Sequence, residues 1–325
     1  MNEKNTLYIV VPCYKEQEVL PETSRRLREK LIALEESGKI SRDSRVMFVN
    51  DGSSDETWPI IRRLHEQEPE YFSGVNLSRN RGHQNALLAG LMTAMNRADM
   101  IISMDADLQD DINAVDAMVD AYHEGYEVVY GVRSKRETDT FFKRFTAEGF
   151  YKVMRALGVD IVFNHADYRL MSRRAVEGLS QFSEVNLFLR GIVPQIGYRW
   201  TTVTYERAER FAGESKYPLK KMLAFAADGI TSFSVKPIRL VFSAGVIVFL
   251  VSLIMFIYAI IVKATGHSET GWASLMASIW MLGGIQLLGL GIVGEYIGKI
   301  YNETKRRPRF IIESVLDKAG AKKEA

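Results

Sequence analysis

Residues 101–111 read IISMDADLQDD and place four carboxylates directly after a short apolar run. The apolar residues 100–104 predict a buried strand, and Asp105 and Asp107 follow at its carboxyl end. Residues two apart in an extended chain point to the same side, so these carboxylates repel each other unless a cation lies between them. Mg²⁺ and Mn²⁺ prefer such oxygen ligands, whereas a solvated acidic turn is the alternative interpretation.

Strands and helices alternate on both sides of this stretch. Short β-rich runs lie at 7–11, 46–49, 74–77 and 127–131, and helix-compatible segments lie at 17–37, 56–67, 83–97 and 112–124. This alternation predicts a mostly parallel, doubly wound α/β sheet. Ligands bind such sheets beyond the carboxyl ends of the strands. Polar clusters follow three strand ends, at 12–16, 50–52 and 105–107, so we expect them to form one polar rim.

Composition predicts that the soluble part of the chain lies in the cytosol. The one cysteine among 325 residues, Cys13, allows no intramolecular disulfide, which is typical of a reducing compartment. The apolar run before Pro12 is too short for a signal peptide. A net charge of +2 gives no sign of a nucleic-acid partner, and we expect none. The glycine patterns of dinucleotide sites and of P-loops are both missing from the sequence.

Two uncharged segments near the C-terminus predict a membrane-spanning helical hairpin. Residues 240–262 and 272–294 are each long enough to cross a hydrocarbon core of about 30 Å. Lys263 is the one lysine or arginine in the link between them. Lysines and arginines cluster instead before the first segment and after the second. The positive-inside rule then places both termini in the cytosol, which predicts a multi-pass protein of the plasma membrane.

The residues beside and within these spans have further interpretations. Segment 218–236 repeats apolar residues at helical spacing and predicts one or two amphipathic helices on the bilayer surface. A helix packed against the soluble domain is the alternative. Five glycines between Gly283 and Gly294 allow close helix packing within one chain or between chains, so a homo-oligomer stays open.

Three clusters each allow a structural and a functional interpretation. Residues 51–55, DGSSD, form either a turn before a capped helix or a site where Asp51 accepts hydrogen bonds from a base or ribose. Residues 78–83, SRNRGH, form either a solvated basic loop or a phosphate site before a helix. The basic residues within 133–144 and 210–217 are either cations for a lipid-linked phosphate or a fringe facing anionic headgroups.

The stretch 195–200, QIGYRW, is close to the Q-x-x-R-W signature of processive polysaccharide synthases. One residue too many separates Gln195 from Arg199, so we interpret the match as chance. A processive synthase would also need more than two spans to form a channel.

The motifs taken together resemble those of family 2 glycosyltransferases with the GT-A fold, in particular the dolichol-phosphate mannose synthase-like and bactoprenol glucosyltransferase-like enzymes. The matching stretches are VVPCYKEQE (10–18), FVNDGSSDET (48–57), SRNRGHQNALLAG (78–90), MDADLQDD (104–111), ADYRLMSR (166–173), RFAGESKY (210–217) and GEYIGKIYNETKRRP (294–308). The resemblance covers nearly the whole chain and implies a Rossmann-like GT-A domain in the cytosol plus two C-terminal transmembrane helices. The expected parts are a catalytic domain at 1–215, juxtamembrane helices at 216–238, the hairpin at 239–298 and a cytosolic basic tail at 299–325.

The resemblance also implies roles for individual residues. By match, the nucleotide-sugar pocket is formed by Pro12, Tyr14, Glu16, Asp51, Arg81, Asp105, Ser215 and Lys216. Asp105 and Asp107 are implied ligands of Mg²⁺ or Mn²⁺, with Gln109 as a further contact. The implied catalytic residues are Asp167, Arg133 and Arg144, the two arginines handling the acceptor phosphate or the donor diphosphate. The chain departs from the family pattern at His83-Gln84 and at Asp111, which blurs the identity of the donor.

The implied reaction is the inverting transfer of one sugar from a nucleoside diphosphate sugar to a polyprenyl phosphate. A bacterial two-span form favours UDP-glucose or UDP-N-acetylglucosamine as donor and undecaprenyl phosphate as acceptor, for cell-envelope glycan modification. The alternative is a membrane-anchored nucleotide-sugar-binding scaffold without transferase activity, for example one that serves a flippase. The intact pair of Asp105 and Asp107 favours the enzyme.

Overall fold

The computed structural model describes residues 4–133, 165–206, 235–264 and 271–317. Within them the chain forms two compact units, a sheet unit and a helix unit. The strands of the sheet unit are β1 (Leu7–Cys13), β2 (Arg45–Asn50), β3 (Phe72–Leu77), β4 (Met100–Ser103), β5 (Val128–Arg133), β6 (His165–Ser172), β7 (Trp200–Tyr205) and β8 (Ile312–Leu316). Its helices are α1 (Leu20–Glu36), α2 (Thr57–Gln67), α3 (His83–Ala94), α4 (Ala114–His123), α5 (Arg173–Ser180) and α6 (Leu189–Gln195). The helix unit contains α7 (Lys236–Ala264) and α8 (Trp272–Lys305).

One sheet runs through the sheet unit in the strand order β7-β5-β6-β4-β1-β2-β3-β8. The four strands β4, β1, β2 and β3 are parallel to one another. β6 pairs antiparallel with both β4 and β5, and β7 runs parallel to β5. The prediction of a mostly parallel α/β sheet is confirmed, and the five strands and four helices predicted up to residue 131 are all present.

The central strands are buried because helices cover both faces of the sheet. Every residue of β1 and of β2 is buried. On one face, α3 lies close to the sheet at Gly90. A side chain there would not fit, because its Cβ atom would come within 2.4 Å of Val10 Cγ1. On the other face, Leu27 and Leu31 of α1 join the core that contains Ile9. The parallel alignment brings the residues that follow β1, β2 and β4 to the same edge of the sheet.

The chain returns to the sheet unit after the second long helix. β8 pairs antiparallel with β3, and the Asp317 carboxylate that follows it lies 3.4 Å from Arg45 Nη1 and 3.1 Å from Arg97 Nε. We predicted only a basic tail for 299–325. The strand was missed because its stability comes from backbone pairing with β3, a partner far away in sequence.

The helix unit presents an apolar surface, with large side chains of α8 such as Leu288 exposed. Among the described residues, Met281–Lys305 is the one helical segment long and apolar enough to cross a membrane. It overlaps the predicted span at 272–294 but extends further toward the C-terminus. The span predicted at 240–262, within α7, stays a prediction.

Candidate active site

The acidic residues after β4 form a tight loop at the carboxyl edge of the sheet. Leu108 adopts a left-handed backbone conformation with φ of 56°. The amide of Gln109 donates a hydrogen bond of 3.2 Å to the carboxylate of Asp107. Asp105 and Asp107 are both half-buried. The structure therefore brings the three predicted metal contacts together in one loop.

Asp105 lies in a strongly negative environment. Burial has the largest effect on its carboxyl group and raises the pKa, against the opposing charge of His83. The charges of Asp110, Asp167 and Asp107 act in the same direction as burial, and together these effects raise the pKa to about 6. His83 Nε2 lies 3.4 Å from Asp105 Oδ1 and 3.9 Å from Asp167 Oδ2. A cation beside Asp105 would relieve the repulsion among these carboxylates.

The oxygen donors of this loop fit a hard divalent cation as a partial ligand set. Asp105 and Asp107 supply carboxylate oxygens, which Mg²⁺ and Mn²⁺ prefer. No three side chains of the His, Cys, Asp or Glu type are arranged to hold a metal within the part of the chain that the structure describes. This arrangement suits Mg²⁺, because proteins usually hold it with one or two carboxylates while substrate phosphates and water complete the shell.

Asp167, on β6, is held between two arginines. Arg169 Nη2 donates a hydrogen bond of 2.8 Å to Asp167 Oδ1. Arg190 of α6 donates to both carboxylate oxygens, at 3.2 Å and 3.1 Å. Burial opposes ionisation of Asp167, but the charges of Arg190 and Arg169 outweigh it and hold the pKa well below its usual range. The Asp167 carboxylate is therefore a weak base near neutral pH.

The sequence predictions missed both arginine partners of Asp167. Arg169 is two residues away on the same strand, and such residues share one side of a sheet, so a signal was available. Arg190 gave no comparable signal, because only the folding of α6 against β6 brings it to the carboxylate.

Asp51 connects two loops of the rim. The amides of Arg81 and Gly82 donate hydrogen bonds of 2.7 Å and 2.9 Å to its two carboxylate oxygens. Burial raises the pKa of Asp51, and these two hydrogen bonds counteract the rise. The next residue, Gly52, has φ of 62°, and a Cβ atom there would lie 2.4 Å from the backbone of the neighbouring loop. Asp51 therefore holds loop 78–83 in place through these two hydrogen bonds. Its predicted contact with a base or ribose stays a prediction.

The loop after β1 lies next to the Asp51 loop. Pro12 is buried inside β1 opposite Val49, whereas Tyr14 is 46% exposed. The amide of Glu16 donates a hydrogen bond of 3.0 Å to Thr57 Oγ1, which fixes this loop to the start of α2. An exposed aromatic ring on a fixed loop offers a stacking surface. The predicted nucleotide contacts of Pro12, Tyr14 and Glu16 stay predictions.

Arg133, at the end of β5, belongs to a polar cluster that the sequence did not predict. Its Nε atom donates a hydrogen bond of 3.3 Å to the Tyr205 hydroxyl, and its Nη2 atom lies 3.5 Å from Asp110 Oδ1. The Tyr205 hydroxyl in turn donates to Asp110 at 2.5 Å. Burial, together with the charge of Asp110, raises the pKa of Tyr205, so the phenol is protonated at neutral pH. This cluster ties β5 and β7 to the acidic loop.

Three of the predicted site residues, Arg144, Ser215 and Lys216, lie outside the described residues. Most of the predicted amphipathic segment 218–236 also lies outside them. The remaining predicted residues are all at the carboxyl edge of the sheet or in the strands that lead to it. Their assigned roles in binding and catalysis stay predictions.

Two family models match this chain. The model of glycosyl transferase family 2 matches residues 8–179, from β1 into α5. The model of the GtrB C-terminal hairpin matches residues 236–300, which include α7 and most of α8. The first match covers the acidic loop and Asp167, and the second covers the helix unit.

Relatives with similar sequences cover nearly the whole chain. The uncharacterized glycosyltransferase YkoT of Bacillus subtilis is 54% identical over 94% of this chain and 91% of its own length. A prophage bactoprenol glucosyl transferase homolog of Escherichia coli is 40% identical over 94% of this chain and 98% of its own length. The bactoprenol glucosyl transferase of Shigella phage SfV is 39% identical over 94% of this chain and 97% of its own length.

Proposed function

This chain belongs to glycosyl transferase family 2, as its motifs indicated, and we propose a specific reaction for it on that basis. We propose that it transfers one sugar, with inversion, from a nucleoside diphosphate sugar to a polyprenyl phosphate. The similarity to the two bactoprenol-type relatives extends over 94% of the chain and so includes the helix unit. That extent supports a lipid-linked acceptor rather than a soluble one.

The observation that carries the proposal is the concentration of carboxylates at the carboxyl edge of the sheet. Asp105 lies among Asp107, Asp110 and Asp167, whose charges add to the effect of burial and raise its pKa to about 6. Clustered carboxylates of this kind repel a diphosphate, because both groups are negatively charged. A divalent cation that binds the carboxylates and the diphosphate at the same time removes this repulsion. This supports a donor that carries a diphosphate and arrives with a metal.

We assign the metal to Asp105 and Asp107, with Gln109 as a further contact. When bound, Mg²⁺ or Mn²⁺ would supply positive charge that stabilises the departing diphosphate.

The chain's own residues orient the donor. Asp51 holds the loop that carries Arg79 and Arg81, and Gly82 caps the N-terminus of α3 directly after it. Arginines beside a helix N-terminus favour phosphate groups. The exposed ring of Tyr14 provides a surface on which the base can stack. We propose that the diphosphate lies between this loop and the acidic loop.

The acceptor side of the reaction needs orientation more than it needs a strong base. A phosphate monoester is largely ionised near neutral pH, since its second pKa is about 6, so its oxygen can attack the anomeric carbon directly. Asp167 is a weak base because its pKa is held low. We therefore propose that it positions two arginine side chains and does not accept a proton. It keeps Arg190 and Arg169 beside the acidic loop. Arg133, Arg144, Ser215 and Lys216 are the proposed contacts to the acceptor phosphate or the donor diphosphate.

The pairing of β8 with β3 supports two membrane crossings. β3 precedes the helix unit in sequence and β8 follows it, yet the two strands are hydrogen-bonded neighbours. Strands that pair must lie on one side of a membrane, so the chain between them crosses an even number of times. We therefore propose spans in both α7 and α8, with the sheet unit and both termini on the cytosolic side, where flanking basic residues favour them.

We propose UDP-glucose or UDP-N-acetylglucosamine as the donor and undecaprenyl phosphate as the acceptor. The names of the Escherichia coli and Shigella phage relatives support glucose and bactoprenol. The lipid-linked sugar would then serve cell-envelope glycan modification.

The test uses the full chain purified into liposomes that contain undecaprenyl phosphate. Radiolabelled UDP-glucose, UDP-N-acetylglucosamine and GDP-mannose are supplied in turn with Mg²⁺ or Mn²⁺, and label is counted in the organic phase. Asp105→Asn and Asp107→Asn remove the proposed metal contacts. Asp111→Asn is the matched control, because it removes a carboxylate from the same loop but outside the proposed contacts.

We expect one sugar to enter the lipid phase, and we expect transfer to fall at least a hundredfold in the first two variants but not in Asp111→Asn. EDTA should have the same effect as those two variants. Absence of transfer from every donor, with nucleotide-sugar binding still measurable, would contradict the proposal and favour the scaffold alternative.

A further inference from the structure

A line of hydrogen bonds connects the C-terminal strand to the two loops proposed to bind the nucleotide. The amide of Lys15 donates to Ser53 Oγ at 3.0 Å, and the amide of Ser53 donates to Asn50 Oδ1 at 3.3 Å. Asn50 Nδ2 donates to Asn76 Oδ1 at 2.7 Å, and Asn76 Nδ2 donates to Glu313 Oε2 at 2.7 Å. We call these five residues the relay.

Every hydrogen bond of the relay runs in the same direction and the last acceptor is a carboxylate. A charged acceptor makes a stronger hydrogen bond than a neutral one, and neighbouring bonds in a line polarise one another. Asn50 and Asn76 are both buried, so each side-chain amide has its orientation set by the partner that follows it. The Glu313 carboxylate therefore fixes the orientation of both asparagines.

The first part of the relay holds backbone at the rim. Asn50 is the last residue of β2 and directly precedes Asp51 and Gly52. Lys15 lies between Tyr14 and Glu16 and has a left-handed backbone conformation, with φ of 57°. A lysine in this conformation is strained, so its loop needs outside contacts such as the bond to Ser53 to keep its shape.

The strand that carries Glu313 is itself firmly placed. The register of β8 against β3 shifts between Asn76 and Leu77, and the paired positions pass over Glu313. Bulges of this kind redirect a side chain. Next to the shift, the amide of Ser78 donates to the Ile311 carbonyl at 3.0 Å. The ladder and this bond hold Glu313 at the end of the relay.

We propose that Glu313 is a positioning residue for the donor site, acting through Asn76 and Asn50 on the loops that carry Tyr14, Glu16 and Asp51. The assignment of those loops to the donor rests on the proposed function. On this proposal, β8 contributes to the shape of the nucleotide site, although it lies after α8 in the sequence.

The test compares Glu313→Ala, Glu313→Gln and Ser314→Ala in the full chain in liposomes. Alanine removes the acceptor, whereas glutamine keeps a carbonyl oxygen for Asn76 at nearly the same length. Ser314 is the exposed neighbour of Glu313 on the same strand, so its replacement controls for general disturbance of β8. Hydrogen exchange is measured for peptides that contain Lys15 and Ser53, and kcat and KM are measured for the donor that wild type uses.

We expect exchange at both peptides to rise about threefold to tenfold in Glu313→Ala, as befits the loss of one net hydrogen bond. KM for the donor should rise by a similar factor while kcat changes less than about twofold. Glu313→Gln should restore most of both effects, and Ser314→Ala should match wild type. A purely structural role of Glu313 would lower the unfolding temperature without this separation of KM from kcat.

The two hypotheses can fail separately. If wild type transfers no sugar, the proposed reaction is wrong, and the exchange data still decide whether Glu313 holds the two loops. If wild type is active but Glu313→Ala has the same exchange and the same KM, the positioning role is refuted while the reaction stands.

Discussion

Replacing Gly52 with alanine should destabilise the sheet unit more than the same change at another glycine of similar backbone conformation. Gly52 has φ of 62°, where an L side chain costs about 1–2 kcal/mol. Its Cβ atom would also lie 2.4 Å from the carbonyl carbon of Arg79 and 2.4 Å from the amide nitrogen of Asn80. Non-bonded carbon atoms prefer a separation of about 3.5–4.0 Å, so the loop at 78–82 has to move by about 1 Å.

That movement has its own cost because the loop is held at both ends. Asp51 accepts the amides of Arg81 and Gly82, and the amide of Ser78 donates to the Ile311 carbonyl. Losing one bond to a buried carboxylate costs about 1–3 kcal/mol. The backbone strain and this loss together predict a decrease of about 2–5 kcal/mol in the free energy of unfolding.

The matched control is Gly197→Ala. Gly197 has φ of 76°, but the nearest atom to its added Cβ would be the Gln195 carbonyl oxygen at 3.9 Å. Only the conformational cost of about 1–2 kcal/mol applies there. Urea unfolding of the detergent-solubilised chain, followed by tryptophan fluorescence, would measure both variants. Equal destabilisation by the two substitutions would refute the close-approach argument.

Three further predictions concern residues at the carboxyl edge of the sheet. Asp51→Asn keeps one acceptor oxygen for two loop amides, so the free energy of unfolding should fall by about 1–3 kcal/mol in urea titrations, and no change would contradict the clamp. Arg190→Ala should raise the folded-state pKa of Asp167, which folding lowers from 3.8 in wild type. The stabilisation from that lowered pKa is complete above the pKa of the unfolded chain and is lost as pH falls toward the pKa of the folded protein. The difference in unfolding free energy between wild type and variant should therefore be complete at pH 7 and shrink below about pH 4. A difference that does not depend on pH would show that ionisation of Asp167 is not involved. Tyr205→Phe removes the hydroxyl that donates to buried Asp110 and should lower unfolding free energy by about 1–3 kcal/mol, with little added effect in an Asp110→Asn background.

The sequence by itself determined the central sheet and the reaction family. Alternation of short apolar strands with helical segments predicted the parallel core, because period-two and period-3.6 patterns are local properties. The order of the motifs, from VVPCYKEQE to the C-terminal stretch, indicated the family that the comparisons confirm. The sequence also predicted that Asp105 and Asp107 lie close together, since two nearby positions after one strand need no tertiary information to be placed side by side, whereas Gln109 came from the family resemblance; their role as metal contacts stays a prediction.

Only the tertiary structure decided which charged groups meet. Arg190 reaches Asp167 from α6, and Tyr205 reaches Asp110 from the end of the edge strand β7, across long separations in sequence. β8 joins β3 through backbone hydrogen bonds, which carry no side-chain signature in the sequence. Contacts of this kind depend on how separate elements pack, and a local pattern of residues holds no record of that packing.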